Sequence, residues 1–231
     1  MSYIASTLNK GNRHELNGEV TLTADAKGEQ VSPSVYSSSS VASFLSPGIW
    51  LVDSVRSRIV FSVRHMAVSK VRGELQRFSA IIHIDEEPEQ SRLEAVMQMD
   101  SLYTNDDVRD NYLKNELLKV ELFPTARFSS TLLTSFPDHY LVQGELTIKD
   151  TTRPCTLEVI AQRVLDPSKK DLTTASFKAT ARIRRSEFGL SFEPAIELGG
   201  IVVSDVVELA IEAAAFKHMD NVWRDGIQQL N

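Results

Sequence analysis

The chain has 231 residues, 42% of them hydrophobic, and a formal net charge of −6 at pH 7. That is apolar enough for a sizeable core, and the length suits one all-β domain with extra termini. The acidic balance and the scatter of Lys and Arg argue against a nucleic-acid partner, because phosphate binding needs clustered positive charge.

Residues 1–47 are polar, carry the serine run Ser37 to Ser40, and end at the turn signal Ser46-Pro47-Gly48. They read as an N-terminal extension, flexible in part, in which Val20, Leu22 and Ala24 suit an extra edge strand or a flap. The first twenty residues lack the apolar run of a secretory signal, and no window is long enough for a membrane span. The expected location is the cytoplasm.

From Trp50 the pattern turns to strict alternation, the mark of strands with one face in a core. Ile59, Phe61 and Val63 share the first inward face, with Arg58, Ser62 and Arg64 opposite. The next runs put Phe78, Ala80, Ile82 and Ile84, then Leu93, Ala95, Met97 and Met99, inside. A helical stripe follows from Asp106 to Leu118, with Val108, Tyr112, Leu113, Leu117 and Leu118 at helical spacing. Thr104 or Asn105 is placed to cap it, and Asp106 and Asp107 suit its N-terminal dipole.

Alternation resumes after Pro124 with Ala126, Phe128, Ser130 and Leu132, then Tyr140, Val142, Gly144, Leu146 and Ile148. Leu157, Val159 and Ala161 form the sixth run, and Phe177, Ala179, Ala181 and Ile183 the seventh. Val207, Leu209, Ile211 and Ala213 form the eighth. Pro137-Asp138, Asp150 to Arg153 and Asp166-Pro167 supply turn chemistry between neighbours. Eight such runs predict an antiparallel sheet closed around an interior that holds side chains or one small ligand. The domain is placed at 48–217, with 218–231 a tail or short helix.

Candidate chemistry is sparse. The five histidines form no ligand pair, and no Cys/His cluster exists, so no metal is expected. His65 has the parity of Phe61 and Val63 and is expected to point inward, as a ligand contact or a satisfied core histidine. Arg109 and Asp110 are adjacent on the helix and diverge. Either one touches a ligand at the barrel mouth, or the two tie the helix to a strand. Cys155, the only cysteine, follows Pro154 in an apolar run and reads as a small buried hydrophobe. No nucleophile elbow and no phosphate-binding glycine loop is present. Periodicity alone leaves a filled and a hollow barrel equally open.

The stretches WLVDSVRSRIVFSVRHM, VRGELQRFSA, MDSLYTNDDVRDNYLKNELL, FPTARFSST, VQGELTIKDTTRP, RIRRSEFGL and VSDVVELAIEAAAF occur in this order between Trp50 and Phe216. The series resembles the YceI-like family of lipocalin-like, polyisoprenoid-binding proteins. It is most specific at Thr104-Asn105 with Arg109-Asp110, and at Gly144 to Ile148. Leu75, Tyr112, Leu117-Leu118 and Arg184 depart from the usual family pattern. The resemblance implies an eight-stranded antiparallel lipocalin-like barrel with a helical insertion near 105–118, enclosing an apolar pocket for an isoprenoid chain.

The expectation is therefore a non-enzymatic binder, carrier or sequestering protein for an isoprenoid quinone, polyprenyl or fatty-acyl-like chain, with no cofactor beyond that lipid. Ile59, Phe61, Val63, Ile82, Met97, Met99, Phe128, Leu146, Phe177 and Ile183 are expected to line the pocket. His65 is the expected inward polar contact, and Arg109 the contact at the mouth. The partner is a long hydrophobic small molecule, and a homodimer is left open. The alternatives are a protein-interaction module with a filled barrel, or an enzyme of isoprenoid-lipid metabolism.

Overall fold

The computed structural model describes residues 45–65, 69–164, 174–192 and 203–218, without the side chains of His65, Arg163 and Val164. The polar extension up to residue 44, the possible edge strand at 20–24, the Asp166-Pro167 turn and the tail beyond 218 lie outside the described residues.

Ten strands form one antiparallel sheet: β1 (Gly48–His65), β2 (Ser69–Leu75), β3 (Phe78–Ile84), β4 (Arg92–Gln98), β5 (Leu102–Tyr103), β6 (Thr125–Ser135), β7 (Tyr140–Ile148), β8 (Thr151–Val164), β9 (Thr174–Arg184) and β10 (Val203–Lys217). β10 pairs with both β9 and β1, which closes the sheet. The staves number eight because β2 and β3 share one partner. β3 pairs with the first half of β1 and β2 with the second, and only Gln76 and Arg77 separate them. The small β5 adds to the edge of β2. The architecture is thus a closed eight-stranded antiparallel barrel.

The eight alternating runs each fall within or at the end of one stave, but β2 and the first half of β1 were not among them. The reason lies in Asp53 to Arg58. Asp53 pairs with Ala214 and Arg58 with Glu212, so Ser54 to Ser57 have only Ala213 opposite them. Asp53 Oδ1 accepts from the Val55 and Arg56 amides and holds the bulge as a turn, leaving Val55 exposed. The extra residues switch the inward parity from Trp50 and Val52 to Ile59 and Phe61, so one strand reads as two unrelated pieces.

A smaller bulge acts on β6. Pairing slips between Ser130 and Leu132, so Leu132 faces out and Leu133 takes the inward place. Ser62, expected to face outward, is buried. Elsewhere alternation holds: Tyr140, Val142, Gly144, Leu146 and Ile148 are all buried, as are Cys155, Leu157, Val159 and Ala161.

The helical insertion begins with α1 (Asp107–Tyr112) and continues as a six-residue π-helical segment, Leu113–Leu118. The cap is Asp106, not Thr104 or Asn105: its side chain accepts from the Arg109 amide at 3.0 Å. Asn105 instead takes a left-handed conformation, with φ 61°, and turns the chain into the helix. Leu113, Leu117 and Leu118, the three leucines of the π segment, pack on the core, whereas Val108 of the expected stripe, earlier in α1, faces solvent.

Candidate functional site

The barrel encloses a cavity of about 680 Å³, within the size range of small-molecule sites. Its wall comes from inward positions on the eight staves. Ile59, Ile82, Met97, Met99, Phe128, Leu146, Phe177 and Ile183 line it, all as the alternation placed them. Alanines at 80, 95, 126, 179 and 213 keep the centre open, since a larger side chain at those inward positions would fill it.

Two of the expected lining residues lie elsewhere. Phe61 packs beneath Gly73 of β2, where an added Cβ would collide with its ring and with the Thr104 methyl. It therefore closes the β1–β2 wall and does not face the cavity. Val63 sits farther along β1, opposite Val71 and Val207, and is likewise outside the lining. The side chain of His65 falls outside the described residues.

Gly144 shows the same close approach on the opposite wall. A Cβ there would meet the Ser129 carbonyl oxygen and the Phe128 ring, so glycine lets Phe128 lie flat against β7. Alternation placed Gly144 inward without saying what it packs against. Its physical role is to set the position of a cavity-lining aromatic.

Arg109 is not at a cavity mouth. Its Nε donates to Thr104 Oγ1 at 2.7 Å, and its Nη2 donates to the Thr104 carbonyl at 2.8 Å. Asp110, which is buried, accepts from the Thr104 amide through both oxygens, at 3.0 and 3.1 Å, and from the Thr104 hydroxyl. Adjacent helical residues were expected to diverge. They converge because Thr104 presents its backbone and its hydroxyl to the first turn of α1 from two directions. The pair is a structural tie between β5 and α1.

The two ends of the barrel differ in chemistry. At the helix end, Leu113, Leu117, Leu118, Phe188 and Leu190 pack into the core. Among the described residues the charged lining side chains are Asp85, Glu86 and Arg92, which border the cavity at the other end together with Ser46 and Ser91. That end is the polar mouth. Arg92 Nη1 donates to the carbonyls of Glu89 and Ser91, and Ser91 Oγ accepts from the Asp85 amide at 3.0 Å. Deeper in, Ser130 Oγ accepts from the Leu93 amide at 2.7 Å.

Cys155 also lines the cavity, and burial pushes its thiol above the ordinary range. Burial raises the Tyr140 phenol in the same way. Among the described residues no group of three or more His, Cys, Asp or Glu side chains is placed to hold a metal ion, and no helix is long and apolar enough to cross a membrane.

Several known proteins share this architecture. A UPF0312 protein of Staphylococcus aureus (strain USA300) is 28% identical over 163 residues, covering 70% of this chain and 93% of the relative. The crystal structure of Burkholderia cenocepacia BcnA superposes with a TM-score of 0.62 at 20% identity, over 71% of this chain and 98% of that one. A polyisoprenoid binding domain from Saccharophagus degradans, implicated in plant cell wall breakdown, gives 0.59 at 15% identity, over 73% and 98%. A Campylobacter jejuni YceI protein gives 0.57 at 23% identity, over 65% and 87%. The model of the YceI-like domain matches residues 50–215, from the buried Trp50 of β1 to the buried Ala215 of β10, and the chain belongs to that family.

Proposed function

We propose that this protein binds a long apolar lipid inside the barrel and serves as its carrier or reservoir, without chemically altering it. The observation that carries this reading is the cavity itself: a largely apolar volume of about 680 Å³ whose charged side chains, among the described residues, stand at one end. A barrel meant as a filled scaffold would not need five alanines in its inner wall, and cavities of this size forfeit packing energy unless something occupies them. The polyisoprenoid binding domain among the similar structures supports the same ligand class.

The energetics agree. Each methylene transferred from water contributes roughly 0.8 kcal/mol, so a chain of several isoprene units has ample gross driving force. Ordering the chain offsets much of it, which leaves affinity in the range of a reversible carrier. Isoprenoid quinones, polyprenyl chains and fatty-acyl-like chains all fit this description.

Native mass spectrometry of the freshly purified protein, followed by solvent extraction, tests the reading. A stoichiometric long-chain species is expected in the wild type. It should be absent from a folded Ala179→Trp variant, whose indole occupies the centre of the cavity. Lipid-free wild type that also refuses added polyprenyl and quinone lipids would overturn the proposal.

A further inference from the structure

Tyr140 opens β7 near the mouth and forms part of the cavity wall. Among the described residues its hydroxyl is the only buried side-chain nitrogen or oxygen without a hydrogen-bond partner. Buried hydroxyls are normally satisfied, because leaving one unpaired sacrifices its interaction with water for nothing in return. The neighbouring buried hydroxyls obey the rule: Ser91 accepts from the Asp85 amide and Ser130 from the Leu93 amide. A phenylalanine would fill the same space on the wall without that penalty, so the hydroxyl calls for a partner that the described residues do not supply.

The mouth beside it has a definite charge character. Asp85 and Glu86 border the cavity, and Glu87 and Glu89 stand on the same connection. The cations nearby are engaged. Arg92 donates to two backbone carbonyls, and Lys217 Nζ donates to Ser46 Oγ at 3.0 Å. Among the described residues Arg92 is the only Lys or Arg bordering the cavity, and it is already engaged. An anionic head group would therefore enter against this field, and its desolvation in the apolar barrel would be severe.

Building on the lipid-binding reading, we infer that Tyr140 is the head-group residue of the cavity, donating its hydroxyl hydrogen to a neutral oxygen, such as a carbonyl or ether, on a ligand whose chain runs toward the helix end. The hydroxyl has almost no open surface of its own, so the ligand oxygen reaches it as the side chains covering it shift. Binding then restores the missing hydrogen bond, and the ligand gains what the free protein forgoes. The phenol also stays protonated at neutral pH, since burial raises its pKa, and it remains a donor.

Three related probes separate the possibilities: farnesylacetone with a neutral carbonyl, farnesane with no oxygen, and farnesoate with an anionic head. Each competes with N-phenyl-1-naphthylamine held in the barrel. Farnesylacetone is expected to bind about tenfold more tightly than farnesane, the ratio one hydrogen bond supplies, and farnesoate should bind most weakly. Tyr140→Phe should remove the preference for the ketone and leave farnesane binding intact. In the wild type, the infrared carbonyl stretch of bound farnesylacetone should move to lower frequency, and the shift should vanish in the variant.

An unshifted carbonyl in the wild type overturns the inference whatever the variant does, and so does farnesoate binding as well as the ketone. In either case, displacement of the fluorescent probe by any of the three leaves the lipid-binding reading standing. Failure of all three to bind would overturn both.

Discussion

The two ends of this barrel are built by different means. The helix end is tied by side-chain networks built on a buried carboxylate and two arginines. Thr104, Arg109 and Asp110 bind β5 to α1, and Arg185 reaches the carbonyls of Leu190, Val203 and Ser204 at 2.7 to 3.3 Å. The Arg185 guanidinium also lies 4.8 Å from the Phe192 ring, which stacks on Tyr112. Among the described residues the mouth has no buried carboxylate of this kind. Its connections are held by single contacts: Ser91 to Asp85, Asp85 Oδ1 to the Glu87 amide, Trp50 Nε1 to the Ser46 carbonyl, and Lys217 Nζ to Ser46 Oγ. A carrier needs this asymmetry. In the proposed carrier one end would stay shut while the other opens for the ligand, and turns held by single hydrogen bonds open at lower free energy than a segment tied to a buried carboxylate.

The largest expected effect comes from breaking the lock. Asp110→Ala removes a buried carboxylate and leaves the Thr104 amide and hydroxyl without their acceptor, so the fold should lose about 3 kcal/mol in urea denaturation. Cys155 gives an independent readout. Its thiol is buried and its pKa raised, so in the wild type it should resist iodoacetamide at neutral pH. If alkylation proceeds through global unfolding, the Asp110→Ala rate should rise roughly a hundredfold, the factor that 3 kcal/mol corresponds to. An unchanged alkylation rate in a destabilised variant would mean that Cys155 is reached by a local opening, and that the helix end is not the shut end.

A smaller effect is expected at the mouth. Ser91→Ala deletes one hydroxyl acceptor for the Asp85 amide and should cost about 1 kcal/mol. Its signature is kinetic. Stopped-flow release of a bound fluorescent lipid should quicken in Ser91→Ala and stay at the wild-type rate in the folded fraction of Asp110→Ala. The reverse pattern would place ligand entry at the helix end.

The same contrast explains what could be read from the sequence. Period-2 alternation identified every stave and most of the cavity wall, because an inward face is encoded locally, residue by residue. It failed where a bulge reset the parity. Leu132 and Leu133 exchanged faces, and the first half of β1 lost its continuity with the second, since insertions opposite a single partner leave no local mark. Phe61 was placed inward correctly yet missed the cavity, because only the glycine across from it on β2 decides what its ring packs against. The locks were least legible of all. Asp110 and Arg109 meet at Thr104 through a loop whose left-handed Asn105 cannot be read from spacing. Tyr140 showed its inward parity but not its missing partner, which depends on every neighbour at once.

The smallest expected effect concerns the exposed rim of the helix end. Glu208 on β10 accepts from Lys70 Nζ on β2 at 2.6 Å and lies 3.9 Å from Arg182 on β9. The Lys70 hydrogen bond, followed by the Lys70 charge, holds the Glu208 carboxyl below the ordinary range. A depressed carboxylate pKa means that the unfolded chain binds the proton first as pH falls. The contribution is therefore complete above the unfolded value, about 4.3, and is lost as pH drops through the lower folded value. Melting curves of the wild type and Glu208→Gln should converge as pH is lowered through that window and separate slightly above it. Because the pair is open to solvent, added salt should erase the separation at neutral pH. A separation that survives high salt would mean that the β2 edge is held by this pair as firmly as α1 is held by Asp110. The helix end would then owe its closure to the barrel rim as much as to the buried network.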